Sequence, residues 1–109
     1  MKRDRLSALR ALADLKAQRS AARLAGAQSI VARLQDQDAA LRREDRSETV
    51  DLAELAARER HSRWRQEHLA RLAVELAQAN ARAQPLREAH ARDNAREKVL
   101  GRLLSRRRR

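Results

Sequence analysis

The side chains that could bind a metal ion are three histidines and the carboxylates near them. His61 and His68 lie seven residues apart, and Glu75 continues the same spacing along one face of a helix. Ligands two helical turns apart, about 10 Å, cannot share one ion. His90 has only an aspartate and an asparagine nearby. The sequence therefore predicts no metal site, and it indicates that the histidines lie at the surface or in polar layers of a helix interface.

Catalytic chemistry finds no support in the sequence. The chain has no cysteine, so thiol nucleophiles, thiolate metal sites and disulfides are excluded. Its serines stand outside any nucleophile-elbow pattern, and neither a glycine-rich phosphate loop nor a His-Glu-x-x-His motif occurs. We expect a protein that is not an enzyme and that has no cofactor.

Trp64 is the single aromatic residue, and charged side chains surround it. The segment 58–65 holds five charged residues and a histidine beside the tryptophan. Two interpretations stay open: Trp64 covers the end of a small core near a turn, or it is an exposed anchor for a protein partner, since tryptophan is enriched at interface hot spots.

The cationic side chains are concentrated at the two ends of the chain. Of a net charge of +11, residues 1–10 carry +3 and residues 96–109 carry +6, whereas residues 36–54 hold seven carboxylates. The last four residues, Arg106–Arg109, form a polybasic tail that can bind polyanions nonspecifically through salt-dependent electrostatics. One aromatic residue is too few for a base-stacking platform, so base-specific recognition is excluded.

The elements that position these residues must be helices. Alanine and arginine number 23 each and leucine 16, with two glycines and one proline in 109 residues. This composition is typical of long helices or coiled coils, and it excludes a sheet protein because aromatic and β-branched residues are scarce. No apolar run is long enough to span a bilayer, and the charged N-terminal segment does not resemble a secretory signal.

Apolar residues recur at alternating spacings of three and four, which is the heptad pattern of a coiled-coil interface. We call each line of residues at this spacing a seam, because it would face the other helix. One seam runs from Leu24 to Leu41, and another runs from Leu69 to Leu86. The second seam becomes polar at three positions and recovers at two leucines near the C-terminus; these positions are His90, Asp93, Glu97, Leu100 and Leu104.

Between the two seams the pattern fails, and a turn is the simplest cause. The segment 44–49 collects helix-capping residues, including an Asp45–Glu48 pair that resembles a capping box. We predict an all-α fold, a two-helix antiparallel coiled-coil hairpin in a single domain over 1–105. Helix one spans about 4–44, the turn about 45–48, helix two about 49–105, and the polybasic tail 106–109. Because neither glycine nor proline occurs in this segment, one continuous helix stays an alternative.

Two residues inside the helical pattern have interpretations of their own. Gly26 permits a close approach of two helices, and Pro85 removes a backbone donor and kinks helix two. A hairpin would also bring both basic termini to one end and the acidic segment to the other. Because the seam is rich in alanine, each layer buries little apolar area, and the hairpin is expected to depend on a partner.

Three stretches resemble the flagellar FliJ family. The segment from Leu52 to Leu72 places an aromatic residue shortly before a Leu-x-x-Leu pair, as at the entry to helix two of that family. The segment from Arg87 to Leu104 resembles the family's basic stretch ending in Lys-x-Leu-x-x-Leu, and Leu6–Leu15 resembles its opening. The chain is similar to a short and divergent member.

The resemblance implies a stalk or adaptor of a bacterial type III protein export apparatus. Members form antiparallel coiled coils in the ring of the export ATPase, and they also contact the membrane export gate or escort chaperones. The implied location is the cytoplasm, at the periphery of the membrane export apparatus. The residues predicted to bind the partner are Lys2, Arg3, Arg5, Trp64, Arg96, Lys98 and Arg102.

Two other functions remain open. The chain could be a basic coiled coil that binds nucleic acid nonspecifically, in which case binding should weaken with added salt and on deletion of Arg106–Arg109. It could also be a homodimeric scaffold in which one long helix associates with its copy.

Overall fold

The computed structural model describes residues 2–43 and 51–107, and the side chains of that range up to 106. It contains two helices, α1 (Lys2–Arg43) and α2 (Leu52–Arg107). The predicted turn at 45–48 lies outside the described residues. α1 begins two residues earlier than predicted, and α2 begins three residues later and continues into the polybasic tail.

A capping residue fixes the start of α2. Asp51 precedes the helix, and its carboxylate Oδ1 accepts a hydrogen bond from the backbone N–H of Ala53 at 3.2 Å. Its carbonyl accepts the first helical bond, from Leu55, at 2.9 Å. Asp51 is therefore the N-cap of α2. The predicted capping pair Asp45 and Glu48 lies outside the described residues.

Side chains of the two helices contact each other within the chain. Ser20 of α1 lies 3.1 Å from His90 of α2, although 70 residues separate them. On one straight helix these residues would be about 105 Å apart, so a single continuous helix is excluded. The predicted fold class, an all-α two-helix antiparallel coiled-coil hairpin, is confirmed.

The chain divides into two compact units, and each contains part of both helices. The terminal unit comprises Met1–Gln28 and Ala81–Arg109. In it the two helices run antiparallel, because contacts that move forward along α1 move backward along α2: Arg10 pairs with Glu97, Lys16 with Asp93 and Ser20 with His90.

The middle unit, Ser29–Asn80, contains the more apolar core. Its buried centre joins Leu34 and Leu41 of α1 to Leu72 and Ala79 of α2, with Val31, Leu69 and Leu76 packed against them. Every one of these residues lies on a predicted seam. Apolar burial at heptad spacing is therefore what holds this unit together.

Both helix-breaking residues lie inside helices. α2 continues through Pro85. A Cβ at Gly26 would meet nothing within 4 Å. The interpretation of Gly26 as a point of close helix approach is therefore wrong, because an alanine would fit there without contact.

Candidate partner-binding site

The seam of the terminal unit contains small and polar residues where a coiled coil usually carries leucine. Ala17, Ser20 and Ala83 are buried in it. Asp93 is also buried, and its carboxylate lies 3.9 Å from the Nζ of Lys16. Polar layers bury less apolar area than leucine layers, so this half of the interface is weaker than the middle unit.

Ser20 and His90 form the central polar layer. The Ser20 hydroxyl donates to the carbonyl of Ala17 at 3.0 Å. A hydroxyl has one proton, so in the 3.1 Å contact between Ser20 Oγ and His90 Nδ1 the histidine N–H is the donor. The interpretation of His90 as a polar seam layer agrees with this contact. Pairing both groups across the helices offsets the cost of removing them from water.

The structure places the predicted cationic residues on the surface of the terminal unit. Lys2, Arg3 and Arg5 are exposed in the first turns of α1. Three further cations are exposed near the end of α2, which runs antiparallel to the start of α1 in this unit: Arg96, Lys98 and Arg102. The arrangement concentrates positive charge where the two chain ends lie side by side.

The terminal unit also has an apolar depression, and Arg96 is one of the residues that line it. Leu9 and Leu12 of α1 and Val99 of α2 line it, over a floor of Ala13 and Leu100, and its volume is about 570 Å³. Leu12 is 63% exposed and Val99 52% exposed. Large apolar side chains therefore lie outside the seam, while the seam itself contains polar residues.

A second depression of about 540 Å³ is lined by arginines. Arg19 and Arg23 come from α1, and Arg92 and Arg96 come from α2. Among the described residues, no carboxylate forms an ion pair with any of these four guanidinium groups. Such a cluster attracts carboxylates or phosphates, which guanidinium groups bind through paired hydrogen bonds.

Three residues of the arginine depression are absent from the sequence prediction: Arg19, Arg23 and Arg92. The prediction placed the cations in windows at the chain ends, and these three lie outside those windows. The signal that could have found them is spacing, since Lys16, Arg19 and Arg23 follow one face of α1 at steps of three and four.

Trp64 lies in the middle unit, apart from the other predicted residues in the sequence. It is 46% exposed. Its ring stacks with His61 at a centroid distance of 5.4 Å and with His68 at 5.3 Å. The three rings form a row along one face of α2, since one histidine precedes and one follows the tryptophan by about a turn.

Metal sites and membrane spans are absent from residues 2–43 and 51–107. No group of three or more His, Cys, Asp or Glu side chains there could hold a metal ion. Neither α1 nor α2, over the residues described, contains a stretch long and apolar enough to cross a membrane.

Comparison with protein families, with curated proteins and with solved structures finds no match to this chain.

Proposed function

We propose that this chain is a non-enzymatic coiled-coil stalk or adaptor of a bacterial flagellar or other type III protein export apparatus. It binds the ring of the export ATPase, or the export gate and its chaperones, from the cytoplasmic side. The resemblance of three segments to the FliJ family supports this proposal. The cationic surface of the terminal unit supplies the physical basis for docking on an acidic surface.

The observation that carries the proposal is the antiparallel pairing of the terminal unit. Because Arg10 pairs with Glu97 at 3.4 Å, the first turns of α1 lie beside the last turns of α2. Two separate basic stretches of the sequence thereby form one surface. Concentrated charge of one sign accelerates and orients association with a surface of opposite charge.

A pull-down with the purified export ATPase and with the cytoplasmic part of the export gate tests the proposal. Glu substitutions at Arg3, Arg5 and Arg102 should lower capture at least about tenfold, equivalent to ~1.4 kcal/mol. The matched control carries Glu at Arg33, Arg43 and Arg71, which are exposed arginines of the middle unit. Because both triple variants change the net charge equally, only the position of the charge differs.

Equal capture of the two variants would disprove docking through the terminal surface. Failure to bind either export component would disprove the proposed function itself. A separate Trp64→Ala variant tests the predicted second contact, which should weaken capture without changing the helicity of the chain.

Nonspecific nucleic-acid binding is the second candidate, and the arginine depression favours it. Four guanidinium groups without an ion-pair partner among the described residues can contact backbone phosphates. In that case affinity for DNA or RNA falls steeply with salt, and Arg23→Glu lowers it whatever the sequence of the nucleic acid.

A further inference from the structure

The apolar and the arginine depressions of the terminal unit are two halves of one groove, called here the terminal groove. Both are lined by Lys16, Asp93 and Arg96, so they meet at these residues. Their α1 side follows one helix face at steps of three and four. In order along that face the residues are Leu9, Leu12, Lys16, Arg19 and Arg23.

The α2 side of the terminal groove shows the same change from apolar to cationic. Val99 stands opposite the leucines of α1. Because the helices are antiparallel in this unit, Arg96 and Arg92 stand opposite the cationic residues of α1. The groove is therefore apolar toward the chain ends and cationic further along. The floor consists of seam residues, among them Ala13 and Ser20.

The sequence of the seam explains why the groove is open. Seam positions 13, 17 and 20 of α1 and 90 and 93 of α2 carry small or polar residues, whereas the large apolar side chains Leu9, Leu12 and Val99 stand beside the seam. Leu9 is 51% exposed and Leu12 63% exposed. The middle unit shows the opposite distribution, with Leu34, Leu41 and Leu72 buried at its seam. Apolar side chains grouped on one face of an exposed groove are typical of an interaction surface.

We propose that the terminal groove binds an amphipathic helix of a partner protein, with leucine-like residues along one half of its buried face and carboxylates along the other half. This inference rests on the proposed function for its choice of a protein partner. The apolar half of that helix packs on Leu9, Leu12 and Val99. Its carboxylates accept hydrogen bonds from Arg19, Arg23 and Arg92, and a three-helix interface results.

The distribution of charge argues against a second copy of this chain as the occupant. The terminal unit carries a net charge of +12 and the middle unit −1, which together give the +11 of the chain. Two terminal units placed face to face would oppose arginine to arginine, and the middle unit, although residues 36–54 are acidic, has a net charge of only −1. A polyanion such as nucleic acid would use the cationic half and leave the apolar half unoccupied.

The test measures binding of designed peptides to the full chain by fluorescence anisotropy. The probe is a labelled helical peptide of about 18 residues, ~27 Å long. On one face of this peptide helix, the positions at spacings of three and four carry leucine in one half of the peptide and glutamate in the other half. A second probe reverses the order of the halves, because a helix can bind in either direction. The control probe carries lysine in place of each glutamate.

Two pairs of variants separate the two halves of the groove. Val99→Ser is matched by Val74→Ser, an equally exposed valine of the middle unit, at 52% and 57% exposed respectively. Arg23→Glu is matched by Arg33→Glu, another exposed arginine of α1. We expect Val99→Ser and Arg23→Glu each to weaken binding of the acidic probe about tenfold or more, and their matched partners to leave it unchanged. Circular dichroism checks that all four variants keep the wild-type helicity.

Several results would overturn the inference. One is that neither acidic probe binds, or that the lysine probe binds equally well. Another is equal affinity of Val99→Ser and Val74→Ser. Binding to anionic phosphatidylglycerol vesicles that requires both Val99 and Arg23, with no binding of the acidic probes, would assign the groove to a membrane surface. A dimer in sedimentation velocity that dissociates on Val99→Ser would assign it to a second copy.

The inference and the proposed function can fail separately. If an acidic probe binds but neither the export ATPase nor the gate is captured, the proposed groove is supported and the proposed export function is disproved. If an export component is captured and neither Val99→Ser nor Arg23→Glu changes that capture, the export function is supported and the groove is not its binding site.

Discussion

Ser20 and His90 show how single polar residues shape the interface of the terminal unit. Both stand at seam positions, and each is the hydrogen-bond partner of the other at 3.1 Å. A polar pair at such a position stabilises the fold little in itself. It specifies which residues face each other, because any shift of one helix along the other leaves both groups unpaired.

Replacing Ser20 by alanine should destabilise the protein by about 0.5–1 kcal/mol, because the His90 N–H loses its acceptor. Adding His90→Leu to Ser20→Ala should restore stability to the wild-type value or above it, since an apolar pair then occupies the seam. Urea unfolding followed by circular dichroism gives both free energies of unfolding. If Ser20→Ala leaves the free energy unchanged, the hydrogen bond has no part in stability.

At the scale of the helices, the two units differ in how their seams are filled. The middle unit buries leucines at its centre, and the terminal unit buries alanine, serine and aspartate together with Leu104. Both helices supply surface i,i+4 ion pairs, such as Asp38 with Arg42 at 2.8 Å and Glu59 with Arg63 at 3.0 Å. Exposed pairs of this kind contribute only about 0.3–0.5 kcal/mol each, so apolar burial decides the stability of the hairpin.

Leu72 is the most deeply buried leucine among the described residues. It is 2% exposed within the apolar cluster. We expect Leu72→Ala to lower the free energy of unfolding by about 2–5 kcal/mol, through lost burial and the cavity left behind. Thermal unfolding by circular dichroism measures the change. Leu52→Ala is the control, since Leu52 is 82% exposed and its loss should change stability by less than about 0.5 kcal/mol. Similar effects of the two substitutions would contradict a core centred on Leu72.

At the scale of the whole molecule, the net charge belongs to one of the two units. The terminal unit carries +12 and the middle unit −1. The apolar part of the terminal groove lies in the same unit as this charge. A partner that covers this unit would bury exposed leucines, each worth about 1.5–3 kcal/mol when fully buried, and neutralise cations in one step.

The polybasic tail, Arg106–Arg109, adds four positive charges to this unit. Its residues follow Leu104, the last buried residue of the described seam. Deleting Arg106–Arg109 should therefore leave the midpoint of thermal unfolding nearly unchanged, while affinity for heparin or duplex DNA falls and becomes less dependent on salt. A large loss of helicity on deletion would show instead that the tail stabilises α2.

The sequence by itself determined the fold class and the seam positions. Heptad spacing identified Leu34, Leu41, Leu72 and Ala79 as interface residues, since periodic burial is a local property of a helix and needs no knowledge of the partner helix. It also identified His90 as a polar layer.

Only the tertiary structure determined which residues of α1 and α2 come together on the surfaces beside the seam. Arg23 and Arg92 are distant in sequence, and they line one groove because antiparallel pairing sets the register between α1 and α2. The same pairing gives His90 its partner Ser20 and leaves Leu12 and Val99 exposed on one surface. Helix periodicity fixes which residues point toward a neighbour, whereas the neighbour's position along the helix depends on contacts between residues far apart in the chain.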